Sequence, residues 1–441
     1  MKHPGSTSRS SLLLFAPAVG IGVTLAGAPA VHAAQPRTEP VVGWLHRHAD
    51  PLRTVDPAVP LDDLAPLRRS IGDAAVVGLG ESVHGAAELS RLKHRTLRLL
   101  VERMGFRSIA WEVDWTMGVR IDAYIREGEG DLNALMSEIL PSYRTREVAD
   151  VLRWLRDFNE GRADKVRFVG VEYFLTRPQA YDAVEAHVAA VAPRRLPEVR
   201  RHLDVIKPPP EKDMWQYIEW YGKVGDKDRY TRHARELRAL VAGLPHRPDD
   251  RAHALALHRA RQIVYFYEHF GLPEPDSHAY RDARAARNLK WWRGLTGDKV
   301  VYWAASPHTA NAPKLRITRP PQQDMRFASA GSYLRRWYGG RYRSIGFTFD
   351  HGTVSTGGGT AVLPPPARDW FERPFGKVRT AQFTIDLREP APPPVRRRLD
   401  APIETRGLTH IGSGSFMSGG TLRQWFDVVV HRQVVTPGRP A

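Results

Sequence analysis

Five short apolar runs recur along the chain, at residues 74–80 (AAVVGLG), 108–112 (SIAWE), 166–172 (VRFVGVE), 299–305 (KVVYWAA) and 343–349 (RSIGFTF). Each has strand length, and stretches of helical character separate them, the alternation that builds a largely parallel α/β sheet. Between the first two runs, Leu89, Leu92, Leu97, Leu99, Leu100 and Val101 recur at helical spacing, which predicts a helix over residues 86–104 ended by Gly105. The fold expected is α/β, a parallel-rich central sheet flanked by helices.

After the third run the pattern changes. Residues 177–295 are nearly all helical in character, rich in Arg and His, and broken by Pro208-Pro209-Pro210 and Gly271-Leu272-Pro273. A helical block between two strands reads as an inserted cap. The last hundred residues are looser, with Gly357-Gly358-Gly359 and Pro364-Pro365-Pro366, and the apolar run 425–430 offers one more strand. Residues 34–441 are expected to form one domain carrying the cap, opening with a short helix around Val41 to Leu45.

The N-terminus reads as an export leader. Lys2 and Arg9 precede an apolar stretch from about Leu12 to Ala30, and Val31-His32-Ala33-Ala34 is a small-residue cleavage site. This predicts a signal peptide over residues 1–33 and a secreted or extracytoplasmic protein; an uncleaved anchor is the alternative. With no cysteine, the chain has no disulfide, thiolate metal site or cysteine nucleophile. A hydrophobic fraction of 42% with 12 tryptophans excludes a mostly disordered chain. The net charge of +17 favours electrostatic association with an anionic cell envelope. Zinc-finger spacing, a basic zipper and an aromatic RNA-binding signature are all missing, so no nucleic-acid partner is expected.

Chemistry gathers where the strands end. The first run leads into Glu81 and His84, the second ends in Glu112 with Asp114 following, and the third ends in Glu172. The fourth leads into Ser306-Pro307-His308 and the fifth into Asp350-His351. Taken singly, a carboxylate after a strand is often only the cap of the next helix. Together, five strand ends of this kind mark a site, because open α/β sheets bind ligands at the carboxyl ends of their strands.

The loop VVGLGESVHG (76–85) narrows the chemistry. A dinucleotide fingerprint would need glycine at Val83, and a phosphate loop would need Gly-Lys-Ser/Thr. A nucleophile elbow would need glycine where His84 stands, which leaves Ser82 a secondary candidate. What remains is Glu81 and His84 in a tight loop. An imidazole flanked by carboxylates is held in one tautomer with its pKa raised toward neutrality, and it can take a proton from water attacking an ester or lactone. His308 could protonate the leaving alcohol or polarise the carbonyl, with Lys93, Arg95 or Arg281 stabilising the oxyanion. Two histidines and two carboxylates would equally suit a divalent metal, and spacing alone does not separate the two chemistries.

Several stretches resemble the erythromycin esterase family. Gly80-Glu81-x-x-His84-Gly85, Arg91-Leu92-Lys93-His94-Arg95 and residues 105–112 (GFRSIAWE) fit its pattern. So do Tyr280-Arg281-Asp282 with Asn288-Leu289-Lys290-Trp291, the strand end Trp303 to His308, Gly331-Ser332-Tyr333-Leu334 and Ile345-Gly346-Phe347. The resemblance runs in order over about residues 40–435. It implies a sheet with helices on both sides, a helical cap, a deep cleft and a small-molecule ester or lactone substrate. It also implies water activated by a histidine, with no clear metal requirement. Glu81, His84, Glu112 and His308 match the family's active-site positions, and Lys93, Arg281 and Asp282 fall where substrate contacts are expected. Four positions depart from the pattern. Ala305 and Ser306 replace a His-Asn pair, Lys93 stands where macrolide-hydrolysing members carry arginine, and Ala285 replaces a methionine. Lysine lacks the planar fork of arginine.

The leading expectation is an exported hydrolase with His84 as general base, Glu81 and Glu112 orienting it, and His308 assisting. The alternatives are a metal-dependent hydrolase and a non-catalytic envelope-associated binding protein of the same fold, the latter suggested by Ala305 and the basic charge. His253, His258 and His269 lie five and eleven apart, off the spacing of a helix-face ligand pair, and read as surface or lid residues. Trp291 and Trp292 read as core. The sequence leaves His351 undecided.

Overall fold

The computed structural model describes residues 39–356, 358–407 and 414–441, so the expected export leader lies outside the described residues. The six longest runs of the main sheet are β1 (Val76–Glu81), β2 (Phe106–Asp114), β3 (Arg167–Glu172), β4 (Lys299–Ala305), β5 (Tyr342–Ser355) and β6 (Val428–Val435). They lie side by side in the order β6-β5-β1-β4-β2-β3, all parallel. Antiparallel edges are added by Gln382–Asp386, Asp50–Pro51 and Thr360–Leu363. All six residues of β1 are buried, as a strand covered on both faces requires.

The alternation of side chains across the pleat sorts the core into two layers. In β4, Val301 and Trp303 join Leu79, Ile109 and Trp111 on one face, whereas Val300, Tyr302 and Ala304 face the other layer with Ala285, Leu289 and Trp292. The first layer is closed by α1 (Ala87–Met104), which buries the leucines anticipated from its spacing. It ends at Gly105, whose φ of 73° is the left-handed conformation that closes many helices.

The helical block comprises α2 (Pro178–Val191), α3 (Leu196–Ile206), α4 (Met214–Gly222), α5 (Lys227–Ala242), α6 (Arg251–Gly271) and α7 (Glu274–Thr296). Helices α2 to α6 share a core of their own, with Tyr181, Val199, Tyr217, Leu237 and Phe266. Helix α7 does not join that core. It lays Ala285, Ala286, Leu289 and Trp292 against the sheet, and so carries its N-terminal half to the strand ends.

Unread in the sequence is a second sheet, antiparallel, made by Thr405–Arg406, Phe416–Ser418, Leu315–Arg319 and Gln322–Phe327 in that order. It has a separate apolar core with Trp44, Phe375, Phe383 and Trp425. Among the described residues no helix is long and apolar enough to cross a membrane.

Candidate active site

The parallel strands β1, β2, β3 and β4 deliver Glu81, Glu112, Glu172 and, one turn on, His308 to one edge of the sheet. Close backbone approach makes this possible. A Cβ on Gly80 would collide with Thr309 and Ser306 from the turn after β4, so only glycine lets that turn lie against the end of β1. Gly85 has a φ of 76°, and a Cβ there would strike the carbonyl of Ser355. Between these glycines, Glu81 and His84 are folded toward each other.

His84 Nδ1 lies 2.9 Å from Glu81 Oε1, so the ring donates to the carboxylate from this nitrogen and its basic lone pair sits on Nε2. The other oxygen of Glu81, Oε2, meets the amino group of Lys93, which is buried and lies 4.1 Å from the centre of the Trp303 ring. Burial draws the pKa of Lys93 well below the ordinary lysine value, against the pull of Glu112. Arg95, one of the cations considered for the oxyanion, faces elsewhere. It is spent on Asp63 and on the carbonyls of Thr54 and Pro60, where it pins the entry segment to α1.

Glu112 lies in a β-bulge, where β2 advances three residues from Trp111 to Asp114 while β3 advances two from Gly170 to Glu172. Bulges re-aim side chains, and this one turns Glu112 into the cluster. Its Oε1 accepts from Arg281 Nη2 at 2.9 Å and faces His308 Nε2 at 3.2 Å. Its Oε2 accepts from the amide of Ala305 at 2.9 Å and the hydroxyl of Tyr143 at 3.3 Å. Burial pushes the Glu112 pKa up, but His308, Arg281 and His84 outweigh it and hold the carboxyl well below the usual range. Ala305, where the resemblance expects a histidine, therefore still serves the cluster through its backbone. Ser306, next to it, ties the turn down by donating from Oγ to the carbonyl of Gly80 at 3.0 Å.

His308 is gripped from both sides. Its Nδ1 stands 3.0 Å from both carboxylate oxygens of Asp282, and Asp282 is itself held by the amide of Ala330 at 2.8 Å. Burial works against a charged ring, yet Asp282 and Glu112 prevail and push the His308 pKa up to about 10. His84 goes the other way. Burial lowers its pKa below the ordinary histidine value, Glu112 opposes this, and the charges of His308 and Arg281 add to the lowering. This corrects the expectation that flanking carboxylates would raise it: withdrawal from water outweighs them. The side chain of His84 nevertheless keeps 12% exposure.

The structure thus brings Glu81, His84, Lys93, Glu112, Arg281, Asp282 and His308 together. It adds Glu172, paired with Arg281 at 3.0 Å and raised by burial in its own pKa. Tyr143, unforeseen from the sequence, bridges Glu81 and Glu112 at 3.3 Å each and packs its ring 4.7 Å from that of His84. Asp114, by contrast, is the helix cap that strand-end acids often are, accepting from the amide of Met117. His351 pairs with its neighbour Asp350 at 2.8 Å, on the part of β5 that runs beyond the pairing with β1. Among the described residues the Ser82 hydroxyl has no hydrogen-bond partner to activate it. His258 and His269 belong to the cap but not to its surface: His258 stacks on Trp291 at 3.7 Å and His269 pairs with Tyr173 at 3.0 Å.

Comparison with known proteins places this geometry in context. A model of the erythromycin esterase family matches residues 101–435. The chain is 32% identical over 129 residues to erythromycin esterase type II of Escherichia coli, covering 29% of this chain and 30% of that protein. It is 35% identical over 69 residues to a protein of Bacillus subtilis named "Putative hydrolase YbfO", covering 16% of this chain and 15% of the other. The chain therefore spans under a third of the length of the curated relatives it matches. A crystal structure of a Bacillus cereus protein superposes with a TM-score of 0.80 at 25% identity, over 92% of this chain and 99% of that one. A succinoglycan biosynthesis protein gives 0.77 at 23% identity, over 93% and 100%. A histidine-to-asparagine variant of the erythromycin esterase EreC, in its open conformation, gives 0.68 at 17%, over 88% and 98%. The last two likenesses concern the fold alone.

Proposed function

This chain belongs to the erythromycin esterase family, and from that premise we propose that it hydrolyses a carboxylic ester or lactone with His84 as the general base. The observation that carries this reading is the opposite displacement of two histidines in one site. His84 is held neutral by burial and His308 is held cationic by Asp282 and Glu112. Environments that drive two pKa values apart give the groups different roles, here one ring free to carry a proton and the other a fixed positive charge.

In this mechanism Glu81 fixes the tautomer of His84, and Nε2 takes a proton from water as the water oxygen bonds to the carbonyl carbon. The carbonyl oxygen becomes an oxyanion, which the fixed positive charges of His308 and Arg281 stabilise in a site shielded from bulk water. Collapse breaks the acyl carbon–oxygen bond, and the leaving alkoxide takes the proton from His84. Acid and alcohol are the products, and the base is restored. Asp282, expected among substrate contacts, acts here by positioning His308, and Lys93 by holding the far oxygen of Glu81.

The residues present do not suit a catalytic metal. Both nitrogens of His308 face carboxylates, and Glu112 is engaged by four donors, so few lone pairs converge on a common point. The non-catalytic alternative drew on Ala305, and the amide that this residue gives to Glu112 weakens that argument. Macrolides are one substrate class to try, and location outside the cytoplasm rests on the leader sequence alone. A screen of esters and lactones, macrolides included, with the native enzyme and His84→Ala side by side, tests the assignment.

A further inference from the structure

Away from the strand ends, α3 and α5 of the cap lie against each other through Val199, Leu203 and Ile206 on one helix and Ala234, Leu237 and Val241 on the other. At this seam His202 and His233 turn their rings together, with centroids 5.2 Å apart and planes at 62°. His202 Nδ1 is 3.0 Å from His233 Nδ1 and 3.5 Å from Glu236 Oε2. One ligand atom from each residue lies within 4.8 Å of the other two, and among the described residues no other group of three histidines and carboxylates converges this closely.

Nitrogen ligands about 2.0–2.1 Å from a zinc ion stand roughly 2.9 to 3.4 Å apart, for angles from about 90° to the tetrahedral value. The 3.0 Å between the two nitrogens falls within that range, and the 3.5 Å from His202 to the carboxylate oxygen lies just beyond it. His233 and Glu236 are three residues apart and so share a face of α5, while His202 arrives from the neighbouring helix. His202 is buried and Glu236 half-exposed, which gives a site with a rigid inner ligand and an outer one open to solvent.

We propose that His202, His233 and Glu236 form a binding site for one divalent transition-metal ion of the zinc class, joining α3 to α5 in the cap. Two imidazoles and one carboxylate favour zinc, copper or nickel over magnesium or calcium, which prefer oxygen ligands. A fourth ligand would be water, admitted past the exposed Glu236. Such an ion would brace the cap, and it is separate from the ester chemistry proposed for the strand ends.

The test is calorimetric titration of the tag-free, full-length protein with zinc chloride after exhaustive chelation, alongside His202→Gln, His233→Ala and Glu236→Ala. The expected result is one equivalent of zinc bound and a zinc-dependent rise in Tm. Both effects should be lost in His202→Gln and His233→Ala and weakened in Glu236→Ala. His233 is only partly buried, so His233→Ala keeps the test valid should the His202 variant fold poorly. The absence of saturable binding would overturn the proposal. So would binding that survives in His233→Ala, which would put the ion on other histidines such as the stacked pair His246 and His253, 3.8 Å apart.

Discussion

His308 Nδ1 lies 3.0 Å from both oxygens of Asp282, a contact made between residues 26 apart in sequence through the fold of α7 against the turn after β4. This carboxylate is what keeps His308 charged. Asp282→Asn retains an oxygen for the amide of Ala330 but removes the charge. The His308 pKa should then fall from about 10, and kcat should drop by about 10²-fold or more as oxyanion stabilisation is lost. NMR titration of the ring and steady-state kinetics check the two effects separately.

The pH profile of kcat/KM should show two limbs. The acid limb reports His84, whose folded pKa is lowered, so activity should fall only below the ordinary histidine range near 6.5. The alkaline limb should lie near 10, where His308 gives up its proton. An acid limb at or above 7 would contradict the assignment of His84.

Tyr143→Phe should retain the fold, since the ring still packs against His84 and Trp111. Without the hydroxyl, two carboxylates face each other with one donor fewer, and their field at His84 strengthens. The acid limb should move to higher pH and kcat should fall about tenfold. A change in KM alone would point instead to substrate contact.

Much of this site was legible from the sequence because the runs Val76–Gly80, Ile109–Trp111 and Val300–Ala305 are apolar immediately before Glu81, Glu112 and Ser306-Pro307-His308, so the change of polarity marks the strand ends. Tyr143 gave no such signal. It sits in the short turn Pro141–Tyr143 between helices, and its partner Glu81 is 62 residues away. The direction of the His84 shift was unreadable for a related reason, since burial depends on how distant segments cover the ring. The second sheet was missed because its strands, such as Leu315–Arg319 and Gln322–Phe327, mix arginine and glutamine with few apolar residues. The cap was legible as a helical block, but not the departure of α7 to the sheet, where Arg281 and Asp282 do their work.

Stability should fall in acid. His94 and His431 are buried with pKa values lowered to about 3, and His258 is lowered well below 6.5, burial being the main cause in each. Below pH 6.5 the unfolded chain binds protons that the folded chain refuses. Each such histidine therefore costs up to about 1.4 kcal/mol per pH unit. His308 has the opposite sign: its contribution is complete below 6.5 and disappears as pH rises through about 10. Thermal melts should show Tm declining on both sides of a plateau, more steeply on the acid side.

Exhaustive chelation should leave ester hydrolysis within about twofold of the untreated enzyme at 25 °C, since catalysis is assigned to general base and fixed charge rather than to a Lewis acid. Loss of turnover, restored by added zinc in the native enzyme and in His233→Ala alike, would move the chemistry to a metal.

The central claim is that His84 removes a proton from the attacking water. The direct measurement is kcat/KM of His84→Ala on whichever ester or lactone the native enzyme turns over, with folding confirmed by circular dichroism and Tm. A fall of about 10²–10⁴-fold with the fold intact is the predicted result; turnover equal to that of the native enzyme would contradict it.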